Sequence, residues 1–152
     1  MPPVEASRDA VERLILSYAE RIDRGDFAGV GDLFADGVIA APDGAPLARG
    51  RDEARRLYER TTRRYEDGTP RTKHVTSNLL IEVDDAAGTA RARSYFTVLQ
   101  ALPDLPLQPI VAGSYEDRFE RAEGRWRFAE RRLFVELVGD VSRHLLIALP
   151  RG

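Results

Sequence analysis

Thr72-Lys73-His74-Val75-Thr76-Ser77-Asn78-Leu79-Leu80-Ile81-Glu82-Val83 reads as the first long strand of a chain whose N-terminal half is helical, and it holds one of the two histidines in the sequence. Alternation by two from His74 reaches Thr76 and Asn78, and sets Val75, Leu79, Ile81 and Val83 on the opposite face. A strand with an imidazole and an amide on one side and aliphatics on the other is either half solvated or the wall of a polar pocket. The segments around it decide between these.

Upstream, Ser7 is placed to cap a helix with Asp9 and Glu12 near its first turn, and Val11, Leu14, Ile15, Tyr18, Ala19 and Ile22 form one apolar stripe along it. Gly25 is suited to end that helix in the left-handed conformation. Two residues carry a double reading. Tyr18 lies inside the stripe, so its ring is buried and its hydroxyl requires a partner. Asp23 sits at the stripe's edge near the helix C-terminus, the disfavoured end for an anion. It is either a solvated carboxylate beside Arg21 and Arg24 or half of an acid–base pair.

Asp26 caps a short second helix, Phe27 to Phe34. Val38-Ile39-Ala40-Ala41 and Leu47-Ala48-Arg49 are short strands on either side of the Pro42-Asp43-Gly44-Ala45 turn. A third helix runs from Gly50 to about Tyr65, with Tyr58 on its apolar side and Arg55, Arg56, Arg60, Arg63 and Arg64 on a solvated one. Long strands follow over about 71–83, 89–102, 108–121 and 125–138, with short connections that make neighbours antiparallel. The Pro103-Asp104-Leu105-Pro106 connection reads as the widest of these. The result is an α+β chain: three N-terminal helices on a strongly curved, mostly antiparallel sheet that forms a half-open cone with a central pocket.

In the last strand, Trp126, Phe128, Glu130, Arg132 and Phe134 alternate onto one face, and Arg127, Ala129, Arg131, Leu133 and Val135 onto the other. Whether Arg131 or Arg132 faces a cavity depends on the register. On the third long strand, Ser114, Glu116, Arg118 and Glu120 oppose Tyr115 and Phe119.

The 152 residues are expected to form a single domain with its core over about 8–138 and a tail over 139–152 that packs across the pocket mouth or against a neighbouring subunit. The hydrophobic content is 43%, the charged content 32% and the net charge −2, with no basic block, which points away from nucleic acid. There is no cysteine, so no thiol nucleophile, disulfide or thiolate metal site. Met1-Pro2-Pro3-Val4-Glu5 lacks the pattern of a secretory signal, and no apolar run is long enough to span a bilayer. The expectation is a cytoplasmic protein that does not engage membranes. No dinucleotide fingerprint, phosphate loop or His/Glu metal spacing is present, and no metal or organic cofactor is expected.

Several short stretches carry a resemblance. Leu16-Ser17-Tyr18-Ala19-Glu20-Arg21-Ile22-Asp23-Arg24-Gly25-Asp26-Phe27, Leu33-Phe34-Ala35-Asp36, Arg49-Gly50-Arg51, His74-Val75-Thr76-Ser77-Asn78 and Gly124-Arg125-Trp126-Arg127-Phe128 resemble landmarks of the SnoaL-like branch of the nuclear transport factor 2-like superfamily. The similarity runs over about residues 8 to 138. Members with similar features include bile-acid dehydratases, scytalone dehydratase, hexachlorocyclohexane dehydrochlorinase, polyketide cyclases and ketosteroid isomerase. The resemblance implies catalytic roles for Tyr18, Asp23, His74 and Arg131, and substrate contacts by Asn78, Ser94, Tyr58 and Trp126. It also implies a homodimer or homotrimer. One departure is plain: the further pocket aspartate of the bile-acid enzymes has no counterpart between Asp85 and Asp104, where Ser94 and Tyr95 stand.

An unperturbed imidazole titrates at about pH 6.5 and so exchanges protons at neutral pH. A carboxylate on one ring nitrogen fixes its tautomer and favours the imidazolium formed on proton abstraction. With Tyr18 as hydrogen-bond donor and Arg131 as cation, the set suits removal of a proton beside a carbonyl, followed by loss of water or halide. The expected function is a cofactor-independent lyase of the dehydratase type, acting on a small hydrophobic molecule, cyclic, polyketide- or steroid-like. The alternatives are an isomerase or cyclase in the same pocket, and a ligand-binding or dimer-forming module without chemistry. His144 is read as a surface or interface residue rather than a second catalyst.

Overall fold

The computed structural model describes residues 6–149. The Met1–Glu5 segment and the last residues of the expected tail, 150–152, lie outside the described residues. The elements are α1 (Ser7–Asp23), α2 (Phe27–Leu33), β1 (Val38–Ala40), β2 (Pro46–Arg49), α3 (Gly50–Thr61), β3 (Thr72–Asp84), β4 (Thr89–Leu102), β5 (Leu105–Ala122) and β6 (Arg125–Val138). The strands form one sheet in the order β2-β1-β6-β5-β4-β3, antiparallel except for the parallel β1–β6 pair. The three helices pack on one face of this mixed, open sheet, which is the α+β arrangement expected. No helix among the described residues is long and apolar enough to cross a membrane.

The stripe of α1 does what its spacing requires. Val11, Ile15, Tyr18, Ala19 and Ile22 are buried, and full burial of an aliphatic side chain contributes about 1.5–3 kcal/mol. The start of α1 differs by one residue from the expectation. Ala6 is the N-cap, and Ser7, already helical, turns its hydroxyl to Asp85 Oδ1 at 2.5 Å on the β3–β4 turn. The helix therefore runs the length of β3, tied to that turn at one end and to Thr72 and His74 at the other.

Its C-terminal stop is sharp. Gly25 takes φ +72°, and a Cβ built there would lie 1.9 Å from the Gly68 carbonyl oxygen. Asp26 then starts α2, accepting from Gly29 N at 2.9 Å.

Two of the sheet's register shifts change which residues face the helices. In β3 the register shifts between Ser77 and Leu80, and Asn78 adopts φ +51°. Asn is one of the few side chains that tolerates this region. The bulge reverses the parity of the strand. Thr72, His74 and Thr76 face the helices, and beyond it Leu79, Ile81 and Val83 pack on the same core. The expectation that these aliphatics oppose His74 is thereby corrected.

In β6 the register shifts at Ala129, where Phe119 pairs with Phe128 but Arg118 pairs with Glu130. Phe128 and Arg131, assigned to opposite faces by strict alternation, are both fully buried on the inner face. Arg132 turns outward and bonds Glu130 at 2.8 Å.

Two further boundaries move. The β4–β5 connection is tight, with Leu102 paired to Leu105, rather than the wide loop expected. α3 stops at Thr61 instead of near Tyr65, because the next residues bond the C-terminal tail. Thr62 bridges Leu145, and Arg63 N donates to His144 O at 2.8 Å.

The hinge at Gly25 yields a stability prediction. Gly25→Ala meets both a positive φ and the Gly68 carbonyl, so it should destabilise the fold by about 2 kcal/mol or more. Urea unfolding followed by circular dichroism should show a lower midpoint with an unchanged slope.

Candidate active site

Asp23 ends α1 facing the start of β3, and its carboxylate accepts three hydrogen bonds from that strand. Oδ2 takes the His74 backbone N–H at 2.8 Å. Oδ1 takes the Thr72 hydroxyl at 2.9 Å and lies 2.6 Å from His74 Nδ1. An ionised carboxylate only accepts, so the ring donates to it through Nδ1–H, and in the neutral imidazole this leaves the Nε2 lone pair as its basic site. Both side chains are 10% exposed. The solvated reading of Asp23 does not describe this arrangement.

Behind the pair lies a polar interior built on aromatic rings. Arg131 is fully buried and makes a bidentate pair with Asp117 on β5, Nε and Nη2 each donating at 2.8 Å. Its guanidinium carbon stands 4.3 Å from the Tyr18 ring centre, 3.7 Å from that of Tyr115 and 5.1 Å from that of Phe128. Burial pushes the guanidinium down, but the Asp117 carboxylate and the two phenols outweigh it and hold it above its ordinary value. Burial also pushes the Asp117 carboxyl up, against the pull of Arg131. These two directions oppose each other, and two short, parallel charge-assisted bonds favour the ionised pair.

Tyr18 shares a hydrogen bond between hydroxyls with Tyr58 on α3. Burial raises both phenols, so they stay protonated at neutral pH. Tyr115, buried beside them, is raised by burial too and stacks on Phe96.

The other residues singled out in the sequence separate into two groups. Ser94 is 2% exposed, in register with Tyr115, and its Oγ has no hydrogen-bond partner; Arg131 Nη1 is likewise buried and unpartnered. Asn78 is exposed at the β3 bulge. Trp126 lies at the far end of the β5–β6 hairpin from the dyad, partly buried with Arg121 over its ring at 5.2 Å. Neither joins His74, and for both the cause is position along the sheet.

Four residues of the site escaped the sequence reading. Asp117 falls between Tyr115 and Phe119 on the apolar side of β5, and a carboxylate in that company was the available signal. Tyr115 itself was placed on the right face without a partner. Thr72 carried no signal of its own. His144, expected at the surface, is 5% exposed, and its ring stands edge-on to that of His74 at 6.2 Å between centres. Burial, then the neighbouring His74, pushes its pKa down to about 4, against an opposing pull from Asp23.

Among the described residues, no group of three or more His, Cys, Asp or Glu side chains could hold a metal ion. Three surface cavities are one of about 900 Å³ lined by residues of 136–149 and two of about 580 and 540 Å³ on the outer sheet face. None of these three is lined by Asp23 or His74.

An open six-stranded sheet with three helices packed on one face is the architecture of a nuclear transport factor 2-like protein. The family described as the SnoaL-like domain matches residues 5–132, and the chain belongs to it. Solved structures agree. A protein of unknown function with a cystatin-like fold from Nostoc punctiforme is 21% identical, with 93% of this chain and 99% of that one covered at a TM-score of 0.72. Rv3472 of Mycobacterium tuberculosis, also of unknown function, is 31% identical over 89% of this chain and 80% of that one, at a TM-score of 0.67. A scytalone dehydratase candidate from Novosphingobium aromaticivorans is 25% identical over 88% and 86%, at a TM-score of 0.64. No curated protein matches the chain.

Both the buried ion pair and the buried histidine can be tested by their effect on stability. Arg131→Met alone leaves the Asp117 carboxylate buried without its partner and should cost about 3–5 kcal/mol, whereas Asp117→Leu/Arg131→Met should recover most of it; denaturant melts of the three proteins read this directly. His144 binds its proton near pH 6.5 when unfolded but only near pH 4 in the fold. Between those values the unfolded chain holds more protons. The stability that neutral His144 contributes is therefore full above about 6.5 and is lost as pH falls through about 4. His74 and Asp23 face the same ring, so the slope to measure is the difference between the wild type and His144→Phe in melts over this range.

Proposed function

We propose that the protein is a cofactor-independent lyase of the dehydratase type, with His74 as the general base. The observation that carries this reading is the 2.6 Å His74–Asp23 contact, in which the carboxylate is fixed by two further bonds and only 10% of either side chain is exposed. A carboxylate held so firmly against one imidazole nitrogen readies the other to take a proton. The similarity to the scytalone dehydratase candidate agrees with this chemistry.

The substrate is a small hydrophobic β-hydroxy carbonyl compound, cyclic members included. His74 Nε2 takes the proton on the carbon beside the carbonyl. The C–H electron pair forms the enolate and then the carbon–carbon double bond as the β C–O bond breaks. The departing hydroxide takes a proton from the imidazolium and leaves as water, which restores His74 neutral. The Tyr18, Tyr58 and Tyr115 hydroxyls hold three protons, and the bonds of Tyr18 to the other two use two of them. The third is available to the enolate oxygen, and the unpartnered Ser94 Oγ and Arg131 Nη1 supply further polar contacts. Asn78 and Trp126 take no part in this scheme. Val75, Leu80 and Tyr95, exposed on the outer sheet face, support self-association as a homodimer or homotrimer, which light scattering measures.

The test is a panel of cyclic and open-chain β-hydroxy ketones incubated in deuterated water. Elimination gives a product lighter by one water; an isotope-labelled isomer of unchanged composition would instead favour the isomerase reading. His74→Ala should fold normally and lose at least about a hundredfold in kcat/KM. Asp23→Asn should lose activity strongly and also lower Tm, because one amide oxygen cannot accept the three bonds the carboxylate takes. Unchanged turnover in His74→Ala would remove it as the base.

A further inference from the structure

The tail after β6 brings His144 into the interior, and several contacts hold it there. Its N–H donates to Val141 O at 3.1 Å, its carbonyl accepts from Arg63 N at 2.8 Å, and Leu146 N donates to Thr61 O at 2.9 Å. The preceding residue is fixed as well. Arg143 O accepts from Gln100 Nε2 at 3.0 Å and from the Tyr65 hydroxyl, and the Arg143 guanidinium pairs with Asp104 at 2.9 Å.

All of this holds a polar ring in place where an apolar one would pack at less cost. His144 is 5% exposed and its Nδ1 has no hydrogen-bond partner. A buried, unsatisfied polar nitrogen costs about 1–3 kcal/mol. Its ring centre is 6.2 Å from that of His74, edge-on. That separation is short enough for one small ligand to touch both rings.

We propose that His144 is a substrate-binding residue of the dyad site, a neutral imidazole on the C-terminal tail that hydrogen-bonds the β-hydroxyl of a hydroxy ketone while His74 acts on the neighbouring carbon. The inference rests on the proposed lyase reading and adds what that reading lacks, a group that recognises the leaving hydroxyl. The burial that keeps His144 uncharged also suits it to bind a hydroxyl, because a neutral ring either donates to or accepts from one, according to its tautomer. Selectivity follows. A ligand without the hydroxyl forgoes this bond and leaves the buried nitrogen unsatisfied.

The two histidines are the only ones in the chain, so ring-nitrogen spectra contain two imidazoles. The full chain, with its histidines labelled with nitrogen-15, is titrated separately with 3-hydroxycyclohexanone and with cyclohexanone. The hydroxy ketone should move the ring-nitrogen resonances of both His144 and His74, and cyclohexanone chiefly those of His74. His144→Phe, which keeps an aromatic ring and removes its nitrogens, should weaken the hydroxy ketone about tenfold, the loss of one hydrogen bond, and cyclohexanone by less than about twofold.

A hydroxy ketone that moves His74 but leaves His144 still overturns this inference and spares the dyad reading. Equal weakening of both ligands by His144→Phe also overturns it, as a purely structural ring. A hydroxy ketone that moves neither imidazole overturns the inference together with the reading it rests on. The wild-type titration decides the matter even where the variant does not fold.

Discussion

The carboxylate of Asp23 is the joint on which the molecule's architecture and its candidate chemistry both turn. β3 is the outermost strand on its side of the sheet, so its outward backbone groups have no strand to pair with. Asp23 satisfies one of them, the N–H of His74, and takes the Thr72 hydroxyl and the His74 ring with the same two oxygens. An anion at a helix C-terminus is disfavoured by the helix dipole by about 0.3–1 kcal/mol. Three hydrogen bonds to a partly buried carboxylate outweigh that, since charge-assisted bonds contribute about 1.5–3 kcal/mol each. The same contacts that dock α1 on the sheet edge also fix the tautomer of the imidazole. Folding and the orientation of the imidazole are one interaction.

The interior behind this joint is polar where apolar side chains could fill the same space. The Asp117–Arg131 pair is fully buried, and replacing such a pair by apolar side chains is often neutral or stabilising. What the pair provides is position. Its guanidinium lies against Tyr18 and Tyr115, and Tyr18 reaches Tyr58, so a chain of groups runs from β5 through β6 and α1 to α3. Arg131 was expected to add positive charge to the site. Bound to Asp117, it lies against the phenol rings, with Nη1 left without a hydrogen-bond partner.

The fold was legible because it depends on local patterns, and the central pair was legible through the family resemblance those patterns carry. The stripe of α1, the glycine that ends it and the spacing of Tyr18 and Asp23 are properties of one helix, and His74 opens the one strand that helix runs along. What failed did so through parity. A single inserted residue at Asn78 moves Leu79, Ile81 and Val83 to the inner face, and another at Ala129 brings Phe128 and Arg131 together. Alternation counts residues and has no means of seeing an insertion, although an asparagine in mid-strand is a residue suited to one. His144 was missed for a different reason. Its burial depends on a tail that pairs with the end of α3, some eighty residues earlier, and nothing near His144 in the sequence encodes that contact.

The division between what the family shares and what this chain adds falls at the same place. The SnoaL-like match ends at residue 132, and so takes in Tyr18, Asp23, Tyr58, His74, Asp117 and Arg131 but stops short of the tail. Membership therefore bears on the dyad and the groups around it. It is silent on the segment that covers them. If the proposed hydroxyl-binding group comes from that segment, the proposed proton removal belongs to the matched domain, while the choice of what leaves afterwards belongs to some ten residues beyond it. Two proteins with the same dyad and different tails would then abstract the same kind of proton and part ways at the next bond.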